Sequence, residues 1–203
     1  MTIVVRATAG AFALILAGCG SSSHSQSTKT ATNRPAPVHR RASVLAGPLR
    51  ATGSLTLPAA RSGIAASVFG GRIIVSGGLD NAGVSTDTVL AIDSAGRAST
   101  LSILPTPVHD AASAVLAGRL VLFGGGPTEG SDRIVQVRPG APRLLGNLPQ
   151  PLSDLTSTTI GSTVYIVGGW NGTDTNRYIY AVSPAGSVSP RASIPQGVRY
   201  PAA

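Results

Sequence analysis

The chain has 203 residues, of which 42% are hydrophobic and 12% are charged, so it can bury a core and is not a disordered charged tail. The formal charge is +8, but residues 1–56 hold six basic residues and no acid, which leaves ten arginines against eight acids in residues 57–203. Charges of both signs are scattered through that second segment, so the composition excludes a basic stripe for nucleic acid. With 25 glycines and 15 prolines, long helices are not expected, and the Val-, Ile- and Thr-rich middle predicts an all-β fold.

Residues 1–18 have the pattern of a secretory signal peptide. Arg6 precedes an apolar run over residues 7–16, which is shorter than the roughly 20 residues that a membrane-spanning helix needs. The sequence Leu16-Ala17-Gly18-Cys19 then resembles the lipobox of bacterial lipoproteins. The resemblance implies cleavage before Cys19, lipid on its sulfur, and an extracytoplasmic chain anchored to the membrane by that lipid. The alternative is an ordinary secretory signal that happens to contain a cysteine.

Residues 19–53 are rich in Ser, Thr, Pro and basic side chains and lack apolar periodicity. This composition predicts a flexible tether. Cys19 is the one cysteine of the chain, so the sequence excludes internal disulfides and a cysteine-based zinc site. His24 and His39 have no partner ligand near them in the sequence, and we expect neither a metal nor a cofactor.

The remaining residues, 54–203, repeat. Leu-Pro or Ile-Pro pairs begin at positions 57, 104, 148 and 194, at intervals of 47, 44 and 46 residues. Each complete interval contains a short apolar run, a tight turn, a second run that ends in two glycines, a polar loop and two further runs. A period in the forties built from four short strands indicates the blades of a propeller. The predicted repeats are 57–103, 104–147, 148–193 and an incomplete 194–203.

Each glycine pair closes a strand and is followed about ten residues later by a third strand, and this arrangement resembles the kelch repeat. The pairs are Gly77 and Gly78, Gly124 and Gly125, and Gly168 and Gly169. The resemblance implies a partial kelch-type β-propeller of three four-stranded antiparallel blades plus the start of a fourth. The tryptophan usual near the end of the fourth strand is absent. We expect the glycines to be structural, since they permit close backbone approach and positive φ.

Closed propellers have about four to eight blades, so we expect the chain to be truncated. The motifs of several enzyme classes are absent from the sequence, namely G-x-S-x-G, H-E-x-x-H and C-x-x-C, and the sole lysine, Lys29, lies in the tether. Copper radical oxidases of kelch architecture need a crosslinked cysteine and paired histidines. Cys19 lies at the lipobox and His109 is the one histidine of residues 57–203, so that enzyme class is excluded.

Polar residues precede the first strand of successive repeats, at Arg61, His109, Asp110, Asp154 and Arg199. In an up-and-down blade this point lies on the same side as the loops after the glycine pairs, so we predict one binding face, because function in such scaffolds sits on loops. The loops add further candidate residues to that face: Asp80, Asn81, Glu129, Trp170, Asn171 and Asp174. A structural interpretation is open for Asp110 and Asp154, which would then accept backbone N–H bonds in turns.

The sequence favours a binding module over an enzyme. We predict a surface lipoprotein whose propeller binds an extracytoplasmic protein or carbohydrate, with membrane contact through Cys19 and no nucleic-acid partner. The alternative is a fragment of a propeller carbohydrate enzyme such as a sugar mutarotase, whose chemistry needs a carboxylate or histidine with an arginine at the mouth of the central channel.

Overall fold

A computed structural model describes residues 54, 56–127 and 130–203. These residues form eleven strands and contain no helix: β1 (Ala65–Phe69), β2 (Arg72–Ser76), β3 (Thr86–Ile92), β4 (Ala98–Val108), β5 (Ala112–Leu116), β6 (Arg119–Phe123), β7 (Ser131–Val137), β8 (Arg143–Ile160), β9 (Thr163–Trp170), β10 (Tyr178–Val182) and β11 (Val188–Ser193). The all-β prediction is confirmed.

The strands form two antiparallel sheets. The first has four strands in the order β1-β2-β3-β4, and the second has seven in the order β11-β10-β9-β8-β7-β6-β5. Within each sheet every strand pairs with its neighbours in the chain, so both sheets are meanders of consecutive hairpins, and the break between the sheets falls between β4 and β5. This topology follows from a sequence in which short apolar runs alternate with glycine turns.

The seven-stranded sheet differs from the separate four-stranded sheets that the repeats predict. Its cause is β8, whose residues 143–152 pair with β7 while residues 153–160 pair with β9. The Leu148-Pro149 pair, which the sequence places at a repeat boundary, lies in the middle of this strand. One continuous strand therefore ends one four-strand unit and begins the next, and the two units join into one sheet.

Two clusters of buried side chains lie between the successive units. The first contains Ile74 and Val89 from the first unit with Leu122 from the second. The second contains Phe123 and Ile134 packed in the same cluster as Val164, Ile166 and Val182. Burial of a large aliphatic or aromatic side chain contributes about 1.5–3 kcal/mol, so packing between units is a main source of stability.

The first strands of the three units are bonded to one another by hydroxyl groups. The Ser67 and Ser113 hydroxyls, from β1 and β5, lie 2.6 Å apart. The Ser157 hydroxyl, from the second half of β8, donates to the carbonyl oxygen of Ser113 at 3.0 Å. Ser113 and Ser157 are 44 residues apart, so equivalent positions of successive repeats face each other along these strands.

Candidate functional site

A backbone ladder joins equivalent positions of the repeats at the end of the sheets where the glycine pairs lie. The N–H of Asp110 donates to the Gly63 carbonyl at 2.7 Å, that of Asp154 to Asp110 at 2.9 Å, and that of Tyr200 to Asp154 at 2.8 Å. All four residues have a φ between +50° and +57°. Residues other than glycine rarely adopt this backbone conformation, although aspartate tolerates it better than most. The ladder brings residues that are far apart in the chain to one place.

The glycine pairs bond to the chain just before this ladder. The N–H groups of Gly78, Gly125 and Gly169 each donate a 2.8 Å hydrogen bond, to the carbonyl oxygens of Val108, Leu152 and Val198 respectively. A β-carbon on the preceding glycine would overlap the same carbonyl oxygen in the first two cases, and in the third it would lie 2.7 Å from it. All six glycines have positive φ, so the close approach and the turn both require glycine.

The ladder lies beside an open cleft of about 540 Å³. The segments that follow the repeat marks contribute His109, Asp110, Asp154, Arg199 and Tyr200 to its lining. Asp154, which the sequence predicted to precede a strand, instead lies within the continuous strand β8. The residues after the glycine pairs contribute, among others, Leu79, Ser85, Pro127 and Trp170, and Trp170, predicted to lie in a loop, is the last residue of β9. Residues from all three units therefore meet in a volume that would hold a small organic ligand.

An ion pair joins two of the predicted residues across the cleft. Nε of Arg199 lies 2.5 Å from Oδ2 of Asp154, whose side chain is only 2% exposed, whereas that of Arg199 is 44% exposed. The guanidinium also lies over two aromatic rings, with its Cζ 5.1 Å from the Trp170 centroid and 5.5 Å from the Tyr200 centroid. Both distances are within the range of a cation–π interaction, so the ion pair and the two rings together fix the position of the guanidinium.

The second carboxylate, Asp110, has weaker partners. The Tyr200 hydroxyl donates to it at 3.3 Å, and Nε2 of His109 lies 3.9 Å away. Burial raises the pKa of Asp110, and the negative charge of Asp154 raises it further. Nδ1 of His109 lies 2.8 Å from the Ser85 hydroxyl, so the imidazole connects the loop after β2 with this carboxylate.

The raised pKa of Asp110 predicts a pH-dependent stability. Folded protein holds the Asp110 proton to a higher pH than unfolded protein, for which the ordinary pKa is 3.8. The contribution to stability is therefore complete below that value and is lost as the pH rises through the folded pKa. Urea denaturation at a series of pH values measures this loss. Between pH 3.8 and the folded pKa of Asp110, the unfolding free energy should fall less with rising pH in Asp110→Asn than in the wild type. An unchanged pH profile in the variant would contradict the assignment.

Arg61 lies outside the cleft. Its guanidinium donates to the carbonyl oxygens of Gly77 and Thr88 at 3.0 and 3.1 Å and to the Thr86 hydroxyl at 3.1 Å. It thereby holds the first glycine pair against β3. Its neighbour Ser62 exchanges backbone hydrogen bonds with Leu79, so this segment supports the wall of the cleft without adding a charge to it.

The other predicted loop residues shape turns. Oδ1 of Asp80 accepts the N–H groups of Ala82 and Val84, each at 2.9 Å, and the neighbouring Asn81 is exposed. Oδ1 of Asn171 accepts the N–H groups of Thr173 and Asp174 at 2.9 and 2.7 Å. None of these four predicted residues, Asp80, Asn81, Asn171 and Asp174, lines the cleft. Cys19 and Glu129 are outside the described residues.

The structure adds two residues to the site that the sequence analysis did not select. Tyr200 lies six residues after Ile194, as Asp110 and Asp154 lie six after Leu104 and Leu148, so the repeat spacing contained a signal for it. Gln150 carried no comparable signal. Its amide nitrogen donates to Asn176 Oδ1 and to the Tyr180 hydroxyl, both at 3.1 Å, and its oxygen accepts Asn171 Nδ2 at 3.2 Å. It thus holds the turn that begins at Asn171, directly after Trp170.

A second cavity, of about 370 Å³, lies where β4 meets the second unit. Its wall is mostly apolar and includes Leu104, Pro107, Leu122, Val135 and Pro151. It contains none of the residues predicted for the binding face, so we place the candidate site in the polar cleft. Within the described ranges, no group of three His, Cys, Asp or Glu side chains is arranged to hold a metal ion. The same residues include no helix with the length and apolarity needed to cross a bilayer.

No family model and no curated protein matches this sequence. Among solved structures, the chain is similar to one described as "Structure of YjhT", with a TM-score of 0.60 and 13% sequence identity. The similarity covers 68% of this chain and 54% of YjhT, so the chain spans about half the length of that protein. At this identity the likeness concerns the fold, and it supports an all-β architecture of antiparallel sheets.

Proposed function

We propose that this chain is a lipid-anchored surface protein that presents part of a kelch-type β-propeller as a binding module for a carbohydrate or protein ligand. Three observations support the propeller. The four-strand units repeat, their first strands are adjacent, and their equivalent residues form the backbone ladder. YjhT, with which the chain shares its fold, is a propeller-type protein.

The anchor rests on the sequence Leu16-Ala17-Gly18-Cys19 directly after a short apolar run. Residues 19–53, with their Ser, Thr and Pro content, would then separate the binding module from the membrane surface. Lipid chains on one cysteine and on the new amino terminus bind a membrane stably, whereas a single chain binds it only marginally.

Replacing Cys19 tests the anchor. Cys19→Ser removes the sulfur that would carry the lipid, so the variant should leave the membrane pellet and incorporate no labelled fatty acid. Ser21→Ala, two residues away, is the matched control and should stay in the pellet. If both variants take up label equally, the chain is not anchored through Cys19.

The observation that carries the binding proposal is the convergence of Asp110, Asp154, Trp170 and Arg199 on one cleft of about 540 Å³. Sugars present hydroxyl groups that bond to carboxylates and guanidinium groups, and apolar ring faces that stack on aromatic side chains. The cleft offers all three partners. Of the two ligand classes, its volume favours a small carbohydrate, since protein partners generally need broader surfaces.

Trp170 provides the experiment, because it is the one tryptophan of the chain and lies in the cleft wall. Its fluorescence, recorded during titration with a panel of monosaccharides, should change saturably for at least one sugar. Arg199→Gln should weaken that response, whereas Arg97→Gln should not, because Arg97 pairs with Asp93 in an exposed turn. No saturable response to any sugar of the panel would contradict a carbohydrate site.

A sugar mutarotase is the second candidate function, and the proximity of His109 to Asp110 favours it. The imidazole Nε2 is 3.9 Å from the carboxylate, and Arg199 lies in the same cleft, so a proton donor and acceptor face one space. Exchange NMR between sugar anomers tests it. A rate above the uncatalysed one that is lost in Asp110→Asn supports catalysis, and an unchanged rate at saturating protein supports binding alone.

A further inference from the structure

We propose that the cleft selects a sugar that carries a protonated amine, bound with its ammonium group at Asp110, on the side where the Tyr200 hydroxyl donates to that carboxylate. The inference rests on the proposed carbohydrate-binding function and specifies the ligand class for the same site.

The charges that face the cleft do not balance. Its titratable and charged side chains are His109, Asp110, Asp154, Arg199 and Tyr200. Arg199 neutralises Asp154 through the 2.5 Å contact. For Asp110, the contacts among the described residues are the Tyr200 hydroxyl at 3.3 Å and His109 Nε2 at 3.9 Å, the latter beyond hydrogen-bond length. Apart from the imidazole, the cleft therefore has two carboxylates and one guanidinium.

The surroundings of Asp110 favour a cation over water. Its side chain is only 17% exposed, so it is partly desolvated, and burial together with the charge of Asp154 raises its pKa. An ammonium group beside it would oppose both effects, because an opposite charge favours the ionised carboxylate. A partly buried pair of this kind also interacts more strongly than one at the surface.

The aromatic residue beside Asp110, Tyr200, acts in the same direction. The faces of Trp170 and Tyr200 carry negative electrostatic potential and already hold the Arg199 guanidinium at 5.1 and 5.5 Å. An alkylammonium group near Tyr200 would gain from that ring and from the carboxylate to which the Tyr200 hydroxyl donates.

A ligand anion is disfavoured by the same geometry. Arg199 is the guanidinium available to it among the cleft residues, yet its Nε is bonded to the buried Asp154 and its Cζ already lies over the rings of Trp170 and Tyr200. An anion near Arg199 would also lie close to Asp154 and Asp110, and repulsion between like charges would weaken its binding.

Three sugars of one skeleton test the inference: glucosamine, glucose and glucuronate. Trp170 fluorescence is titrated near neutral pH, below the pKa of the amine. Glucosamine should bind about fivefold more tightly than glucose, as expected for one partly exposed ion pair and a cation–π contact, and glucuronate more weakly than both. Asp110→Asn should bring glucosamine to the affinity of glucose. Asp93→Asn, in the exposed turn after β3, should leave the order unchanged.

The outcomes separate the two proposals. Equal affinity for the three sugars, or tighter binding of glucuronate, overturns the inference and leaves a carbohydrate site standing. Unchanged preference in Asp110→Asn also overturns it, because the preference would then not depend on this carboxylate. If none of the three sugars changes the fluorescence, the proposed carbohydrate-binding function fails, and the inference fails with it.

Discussion

Gly124→Ala is expected to lower the free energy of unfolding by about 3 kcal/mol. A β-carbon at Gly124 would overlap the Leu152 carbonyl oxygen and lie 3.2 Å from the Leu155 side chain. Forcing a methyl group into packed structure costs about 1–3 kcal/mol, and an alanine at positive φ costs about 1 kcal/mol more. Urea denaturation followed by circular dichroism measures the change.

Gly118→Ala separates these two costs. Gly118 has a φ of +72°, close to the +61° of Gly124, but a β-carbon there would meet no atom within 4 Å. Only the cost of positive φ applies, so the fall in unfolding free energy should be about 1 kcal/mol. Equal destabilisation by the two variants would mean that the approach of the Leu152 carbonyl does not require glycine.

Asp154→Ala is expected to destabilise the fold by about 2 kcal/mol and to abolish the response of Trp170 to sugars. The buried carboxylate of Asp154 holds the Arg199 guanidinium. The Asp154 backbone also has a φ of +57°. Loss of the ion pair and strain of alanine at this φ each contribute about 1 kcal/mol. Without Asp154, the guanidinium loses the contact that holds it over Trp170.

Asp154→Asn isolates the charge, since asparagine tolerates this backbone conformation. It should destabilise by about 1 kcal/mol, or half as much as alanine. It should also lower the pKa of Asp110, because the charge of Asp154 raises that pKa in the wild type. NMR titration of the Asp110 carboxyl carbon measures the shift. A pKa of Asp110 that stays the same or rises in the variant would contradict the proximity of the two carboxylates.

Much of the fold could be predicted from the sequence because the apolar runs and glycine turns repeat. The first short apolar run of each of the first two repeats lies at residues 65–69 and 112–116 in the sequence, and these runs coincide with β1 and β5. The continuity of β8 across Leu148-Pro149 could not be predicted. It depends on which backbone pairs with β7 and which with β9, and side-chain pattern does not encode the point at which pairing changes.

The candidate site could be predicted where the position of a residue within its repeat determines whether it reaches the ladder. Asp110 and Asp154 both lie six residues after a repeat mark and both enter the ladder. Arg61 lies only four residues after Leu57. In an extended segment, side chains two residues apart point to the same side and adjacent side chains point to opposite sides. Here Gly63, two residues after Arg61, has a positive φ and turns the chain. The Arg61 side chain bonds to the backbone of Gly77 and Thr88 and lies outside the cleft, and no pattern in the sequence indicates this.

Hydrogen–deuterium exchange with and without a bound sugar tests the central claim that residues from successive repeats form one binding cleft. With the sugar that gives the largest change in Trp170 fluorescence, protection should rise together in the loop at 79–85, around 109–110, around 153–154 and at 170 and 199–200. The turns at 70–71, 117–118 and 161–162, at the other end of the hairpins, should not change. Protection confined to one repeat, or found at those turns instead, would contradict the account.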